Sequence, residues 1–355
     1  MAVKARPKRS FPCVENPSSV AAACGMEGVI GRSSRAHHIQ VAGGRSGEVL
    51  SRARVRSPMS LQSDVEALWA RYQDGAVDAA SASEDDLAVL EAFLESLEAG
   101  ELRAAEPVEP ADPDAVGEGD AEPEVASATA EWNAVEWVKQ GVLLNFGLRE
   151  NVGHEYGGVT YTDVLPLRRT DDLAERGTRN TPDGTVMRRG CYLGSDCIMM
   201  SPSFVNIGAY VGDGTLIDSC DTVGSAAQIG RNVKLGANTL IGGVLEPVED
   251  APVVIEDGVS LGAGCRVTSG FVVGHDSIVG ENTLLTPRIP VYDLVEDEVH
   301  YGKLPPERRA FQRFVESSVS DEDVIPGNAY KPAVVATHVE EETLGATERE
   351  GALRE

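Results

Sequence analysis

From Met187 onward an apolar residue returns at every sixth position: Leu193, Met199, Val205, Val211, Ile217, Val223, Ile229, Leu235 and Ile241. An eight-residue interruption precedes Val254, and the count resumes at Ile255 and runs through Leu261, Val267, Val273, Val279 and Leu285. A period of six matches neither the 3.6-residue helix nor the two-residue alternation of a strand. Small residues, such as Cys191, Cys197, Ser203, Ala209 and Thr215, stand four places after most of these positions, and glycine often follows the apolar residue directly. The pattern predicts a β-solenoid. Each hexad forms one short flat side with its aliphatic residue inward, glycine turns the corner, and three hexads close a triangular coil. Sixteen hexads then stack into about five coils at a spacing of roughly 4.8 Å. A β-sandwich would show alternation and irregular turn spacing instead.

Ahead of the repeats the spacing turns helical. Leu61, Val65, Leu68, Trp69 and Tyr72 form one stripe, and Leu87, Leu90, Phe93, Leu94 and Leu97 another, with Ser83 as N-cap and Gly100 as C-cap. The helical N-terminal domain therefore spans 59–103. Residues 104–130, rich in Pro, Ala and acid, read as an acidic linker. Residues 131–186 read as a helix over 131–147 plus strands leading into the repeats, residues 187–290 as the β-helix with an external loop at 247–254, and residues 291–355 as a C-terminal lid segment and acidic tail. The spacing of Phe311, Phe314 and Val315 suggests a helix within that lid, and Ala333 to Ala336 a strand.

Charge divides the chain sharply. Residues 1–58 hold ten Lys/Arg against three Asp/Glu, whereas the rest holds 21 against 54. The basic part reads as disordered, as a transit-like peptide, or as a stretch upstream of a true start at Met59. In the acidic part only Lys139, Lys234, Lys303 and Lys331 remain as lysines. That balance suits a chain kept soluble in concentrated salt, where self-repulsion is screened. No apolar run approaches the roughly 20 residues a membrane span needs, and nothing basic and aromatic in the core points to nucleic acid. Three cysteines, Cys191, Cys197 and Cys265, fall on the small inward position and read as buried thiols of a reducing cytoplasm.

One local reversal of charge stands out. Arg168, Arg169, Arg176, Arg179, Arg188 and Arg189 cluster between Thr160 and Arg189. An anionic ligand of so negative a protein needs such a patch, although any single arginine there also fits a solvated face paired with neighbouring acids. His275 is the lone histidine of the repeats. It reads as a surface corner, and one histidine cannot supply the three-histidine zinc site of a γ-class carbonic anhydrase.

The segments Ser203 to Val211, Thr222 to Gly230 and Ile241 to Pro247, with Trp137 to Phe146 and His300 to Lys303, resemble the tetrahydrodipicolinate N-succinyltransferases. The resemblance covers roughly residues 60 to 340. It implies a mainly β fold, a left-handed parallel β-helix of hexapeptide repeats with an N-terminal α-helical domain, assembled as a homotrimer with active sites between neighbouring helices. It also implies transfer of succinyl from succinyl-CoA, a cosubstrate rather than a permanently bound cofactor, to an amine in diaminopimelate and lysine biosynthesis. On this chain the substrate-binding arginine falls on Arg179 and the catalytic, substrate-binding aspartate on Asp218. Gly242, Gly243 and Ala263 are expected to hold the CoA arm. A carboxylate suits the role of Asp218, because an amine attacking a thioester must lose a proton, and a guanidinium pairs a carboxylate in bidentate fashion.

Two positions depart from the family. Arg266 stands where relatives carry a glutamate, and arginine cannot act as a base. Asp221 occupies a small inward slot where alanine is usual, and an acid there is costly unless paired. Ile217 and Leu261 share a face by hexad count, which suggests that this region changed in concert. The rival readings are an acetyl-CoA-dependent N-acyltransferase on the same scaffold and a non-catalytic β-helix trimer.

Overall fold

The inward column predicted from the six-residue period is present along its whole length. In the structure, a computed structural model that describes residues 58–108, 132–156, 158–182, 184–245, 251–317 and 329–340, all sixteen hexad positions from Met187 to Leu285 are buried. They join one hydrophobic cluster. The basic stretch before Pro58, most of the acidic linker, part of the external loop and the acidic tail lie outside the described residues.

Two-residue strands stack into three parallel faces. The first runs through Tyr192–Leu193, Tyr210–Val211, Gln228–Ile229, Val254–Ile255 and Val272–Val273 to Lys303–Leu304. The second begins a little earlier than the repeat count, at Arg179–Asn180, and continues through Ile198–Met199, Leu216–Ile217, Lys234–Leu235, Ser260–Leu261 and Ile278–Val279. The third runs from Val186–Met187 through Phe204–Val205, Thr222–Val223, Leu240–Ile241 and Arg266–Val267 to Leu284–Leu285. Inward residues stand in register, Ile217 on Leu235 on Leu261, so each aliphatic side chain is covered by the next.

The corner glycines differ from the expectation. Positive φ falls three residues after the inward position, at Asp196, Gly208, Gly214, Cys220, Ala226, Asn232 and Asn238, and not on the glycine that directly follows it. That glycine is required by close approach. A Cβ on Gly212 would lie 2.6 Å from the carbonyl oxygen of Gly230, and one on Gly236 would lie 2.7 Å from that of Leu261.

A helical layer covers one edge of the prism. Helix α1 (Pro58–Gln73) and helix α2 (Glu84–Glu98) follow the predicted stripes, with a Ser83–Asp86 capping box starting α2. Helix α3 spans Glu136–Gly147, not 131–147, because Trp132–Ala134 pair antiparallel with Ala105–Pro107 instead. Leu61, Phe93, Leu94, Val138 and Val142 pack with Ile207, Ala226 and Val244, which are corner residues between the third and first faces. At the corner between the second and third faces, no helix packs among the described residues.

The top of the prism is closed by strands where the spacing of Phe311, Phe314 and Val315 suggested a helix. Arg308–Glu316 runs antiparallel to Tyr330–His338, and Arg309 and Ala310 extend the second face beyond Ile278 and Val279. Burial of Arg308 and Ala310 on alternate positions fixes the strand period.

Candidate active site

Asp218 opens a groove along the uncovered corner. It is the first residue past the inward Ile217, half-buried, with its backbone N–H given to the Leu235 carbonyl and its Oδ1 accepting from Ser219 N at 2.7 Å. Above it the corner presents Gly236 and Ala237, then Gly262 and Ala263, then Gly280 and Glu281, with Lys234, Ser260 and Ile278 from the second face as one wall. Phe311, Gln312 and Arg313 of the C-terminal hairpin form the far end of this cavity of about 610 Å³. From the Asp218 rung to the Phe311 rung is four strand spacings, about 19 Å, a length of the order of an extended phosphopantetheine arm.

The walls of this groove act through shape. The N–H groups of Gly236, Gly262 and Gly280 donate to the carbonyls of Leu261, Val279 and Ala310 on the next rung, so glycine here removes side-chain bulk without offering a donor. Gly242 and Gly243 do not line the groove. They sit past Ile241 on the third face, where the Gly242 N–H donates to Val267 O at 2.7 Å and a Cβ on Gly243 would meet Ser225 Oγ. Of the three residues expected at the CoA arm, the groove includes Ala263 alone.

Arg179 lies on the same face as Asp218 but lower. Its strand pairs with Ile198, which pairs with Leu216, so Arg179 is two rungs, about 10 Å, below the strand that carries Asp218. It is exposed and outside the groove. The other five arginines of the predicted patch are each ion-paired within the chain: Arg168 and Arg176 to Asp172, Arg169 to Asp171, Arg188 to Asp163, and Arg189 to Glu98 and Glu91. Arg179 alone of the six has no ion pair among the described residues.

Asp221 and Arg266 lie in different settings, one buried and one exposed. Ile217 and Leu261 do share the second face, two rungs apart, but Arg266 belongs to the third face, is exposed, and donates to Gly264 O at 2.9 Å. Asp221 is buried at 1% exposure. Its Oδ1 accepts from Thr239 N at 2.7 Å, and its Oδ2 has no hydrogen-bond partner. Desolvation pushes its carboxyl up to about 8. The inward thiols of Cys191 and Cys197 are likewise pushed up, to about 12 and about 11, by burial.

The described sequence matches the model for the N-terminal domain of tetrahydrodipicolinate N-succinyltransferase over residues 60–148. Curated relatives extend the match through the prism. A 2,3,4,5-tetrahydropyridine-2,6-dicarboxylate N-succinyltransferase of Polynucleobacter asymbioticus is 37% identical over 251 residues, covering 69% of this chain and 83% of the relative. One from Methylobacterium is 33% identical over 308 residues, 84% of this chain and all of the relative. The chain belongs to the tetrahydrodipicolinate N-succinyltransferase family. Against that family background, the hairpin residues Phe311, Gln312 and Arg313 and the wall residue Lys234 are groove components that the sequence pattern did not single out. The signal for the hairpin was the Arg-x-Phe-x-Arg alternation of Arg309, Phe311 and Arg313, where both guanidinium groups lie over the Phe311 ring at 4.9 and 5.3 Å.

Proposed function

We propose that this chain transfers the succinyl group of succinyl-CoA to the amino group of ring-opened tetrahydrodipicolinate, a step of diaminopimelate and lysine biosynthesis. The observation that carries this reading is the groove that joins Asp218 at its foot, through a wall of glycine corners, to Glu281 and a hairpin bearing arginine and phenylalanine at its head. The donor's arm lies along the glycine corners and Ala263, with its thioester at the Asp218 end. Asp218 then accepts a proton from the attacking amine as the C–N bond forms and the C–S bond breaks. The thiolate leaves and takes up a proton to give CoA. Arg179, which has no ion pair among the described residues, pairs a carboxylate of the acceptor.

Arg179 and Asp218 are separated on one subunit, which favours a homotrimer in which the cleft between neighbouring prisms completes each site. The strongly acidic, lysine-poor composition favours a cytoplasm of high ionic strength as the setting. The deciding measurement is thiol release from succinyl-CoA with tetrahydrodipicolinate, compared with acetyl-CoA. Turnover that requires succinyl-CoA and is lost in Asp218→Ala supports the reading. A preference for acetyl-CoA, or no turnover with either donor, overturns it.

A further inference from the structure

The buried acid at Asp221 has no place in the reaction as described so far. It lies in the column of small inward residues formed by Ser203, Asp221, Thr239, Cys265 and Thr283, each four places past an inward aliphatic residue on successive rungs. Two linkages run from it through the corner. Upward, its Oδ1 accepts the Thr239 N–H at 2.7 Å, and the Thr239 hydroxyl donates to Gly236 O, on the glycine that walls the groove. Downward, the Asp221 N–H donates to Ser203 Oγ at 3.3 Å, and that hydroxyl donates to the carbonyl oxygen of Asp218 at 2.8 Å. The turn between them passes through Cys220 at φ 66, a conformation costly for a side chain with a Cβ. Asp221 thus ties the strained turn carrying Asp218 to the rungs on either side.

We propose that Asp221 is a positioning residue for Asp218, holding the groove corner in its working geometry while its own carboxyl is protonated and releasing it on ionisation. The proposal rests on Asp218 being the proton acceptor. An ionised carboxylate in this slot has one backbone N–H and an oxygen with no partner, too little to hold a buried charge. Around it, the rung below presents Ser203, the rung above Thr239 and the next Cys265, while its own turn carries Asp218 and the exposed Cys220. No cation faces it among these, and Asp218 acts both ways, its backbone easing ionisation and its carboxylate adding to the cost, while desolvation dominates.

The test is the pH profile of kcat in the full chain for the parent, Asp221→Asn, Asp221→Val and Asp218→Asn, with folding checked by thermal melts. The amide of Asp221→Asn keeps an acceptor for Thr239 and cannot ionise. In the parent, kcat is expected to fall about tenfold per pH unit above an inflexion near pH 8, and Asp221→Asn is expected to lack that fall. Asp221→Val brings in a side chain close to aspartate in shape, one found buried at the same hexad position at Val233 and Val259. It offers Thr239 no acceptor and is expected to lower kcat at every pH with KM for both substrates little changed. Titration of the acceptor amine affects all variants alike. Superimposable profiles for the parent and Asp221→Asn, or parental kcat in folded Asp221→Val, overturn the proposal while leaving Asp218 as base. Parental turnover in Asp218→Asn removes Asp218 as base, and this proposal with it.

Discussion

Arg308 lays its guanidinium against Asp293, Nε to Oδ2 at 2.9 Å, with both side chains buried where the C-terminal hairpin joins the prism. Its Nη2 reaches Glu296 at 2.7 Å, and its Nη1 donates to the carbonyl of Pro306. Asp293, Glu296 and His300 stand close enough together to share a cation, but the guanidinium already pairs with both carboxylates. Removing one partner leaves a buried charge uncompensated, which typically costs about 3–5 kcal/mol.

Arg308→Met is therefore expected to lower the melting temperature by many degrees and to weaken succinyl-CoA binding, because the same strand carries Phe311 and Arg313 into the groove. Calorimetry with and without donor checks both effects. A variant as stable as the parent would show that the pair is not needed to seat the hairpin.

Asp218→Ala is expected to reduce kcat by roughly 10²–10⁴-fold, the usual worth of a positioned general base. Arg179→Ala is expected instead to raise KM for the acceptor with a smaller effect on kcat, as a lost binding contact does. Steady-state kinetics in both substrates separate the two roles, and Arg179→Lys should recover only part of the loss since lysine lacks the planar fork.

Two glycines separate a steric clash inside the prism from backbone strain outside it. Gly212→Ala forces a Cβ to 2.6 Å from the Gly230 carbonyl oxygen, both of them ladder backbone, and is expected to cost about 1–3 kcal/mol. Gly75→Ala meets nothing within 4 Å and bears only a φ of +69, so about 1–2 kcal/mol of backbone strain is expected. Chemical denaturation of the two variants, read alongside circular dichroism, checks that order.

Stability should also depend on pH through Asp221. Its folded carboxyl sits at about 8 against an ordinary 3.8, so the unfolded chain ionises first, and this group's contribution to stability falls as pH rises from about 4 to 8. The loss is at most about 6 kcal/mol, and Asp221→Asn should flatten it. Asp86 acts in the opposite sense: its hydrogen bond from Arg71 holds it at about 2, so its stabilisation is present above pH 4 and fades as pH falls towards 2. Denaturant midpoints across pH for the parent and Asp221→Asn check the assignment.

The prism was legible because its signal is repeated: each inward residue from Met187 to Leu285 meets the same steric demand as the one before. What the pattern could not carry was local. Glycine after the inward residue looked like a turn residue, yet the turn falls three places on, and the glycine answers to a neighbouring rung that no single hexad reveals. Arg308 to Glu316 mixes apolar residues at spacings that fit helix or strand, and only pairing with Tyr330 to His338 decides between them. For the site, family likeness singled out Asp218 and Arg179, and the arginine patch narrowed to Arg179 only once the partners of the other five were visible. Lys234 and Phe311 stayed hidden because membership of a groove depends on the stacking order of coils.

That stacking makes the molecule its own ruler. Since every coil adds one fixed increment of height, the gap between Asp218 and the hairpin is counted out in whole coils. Evolution can alter the reach of this enzyme only in steps of one coil, while the chemistry at the foot of the groove and the clamp at its head are free to vary separately.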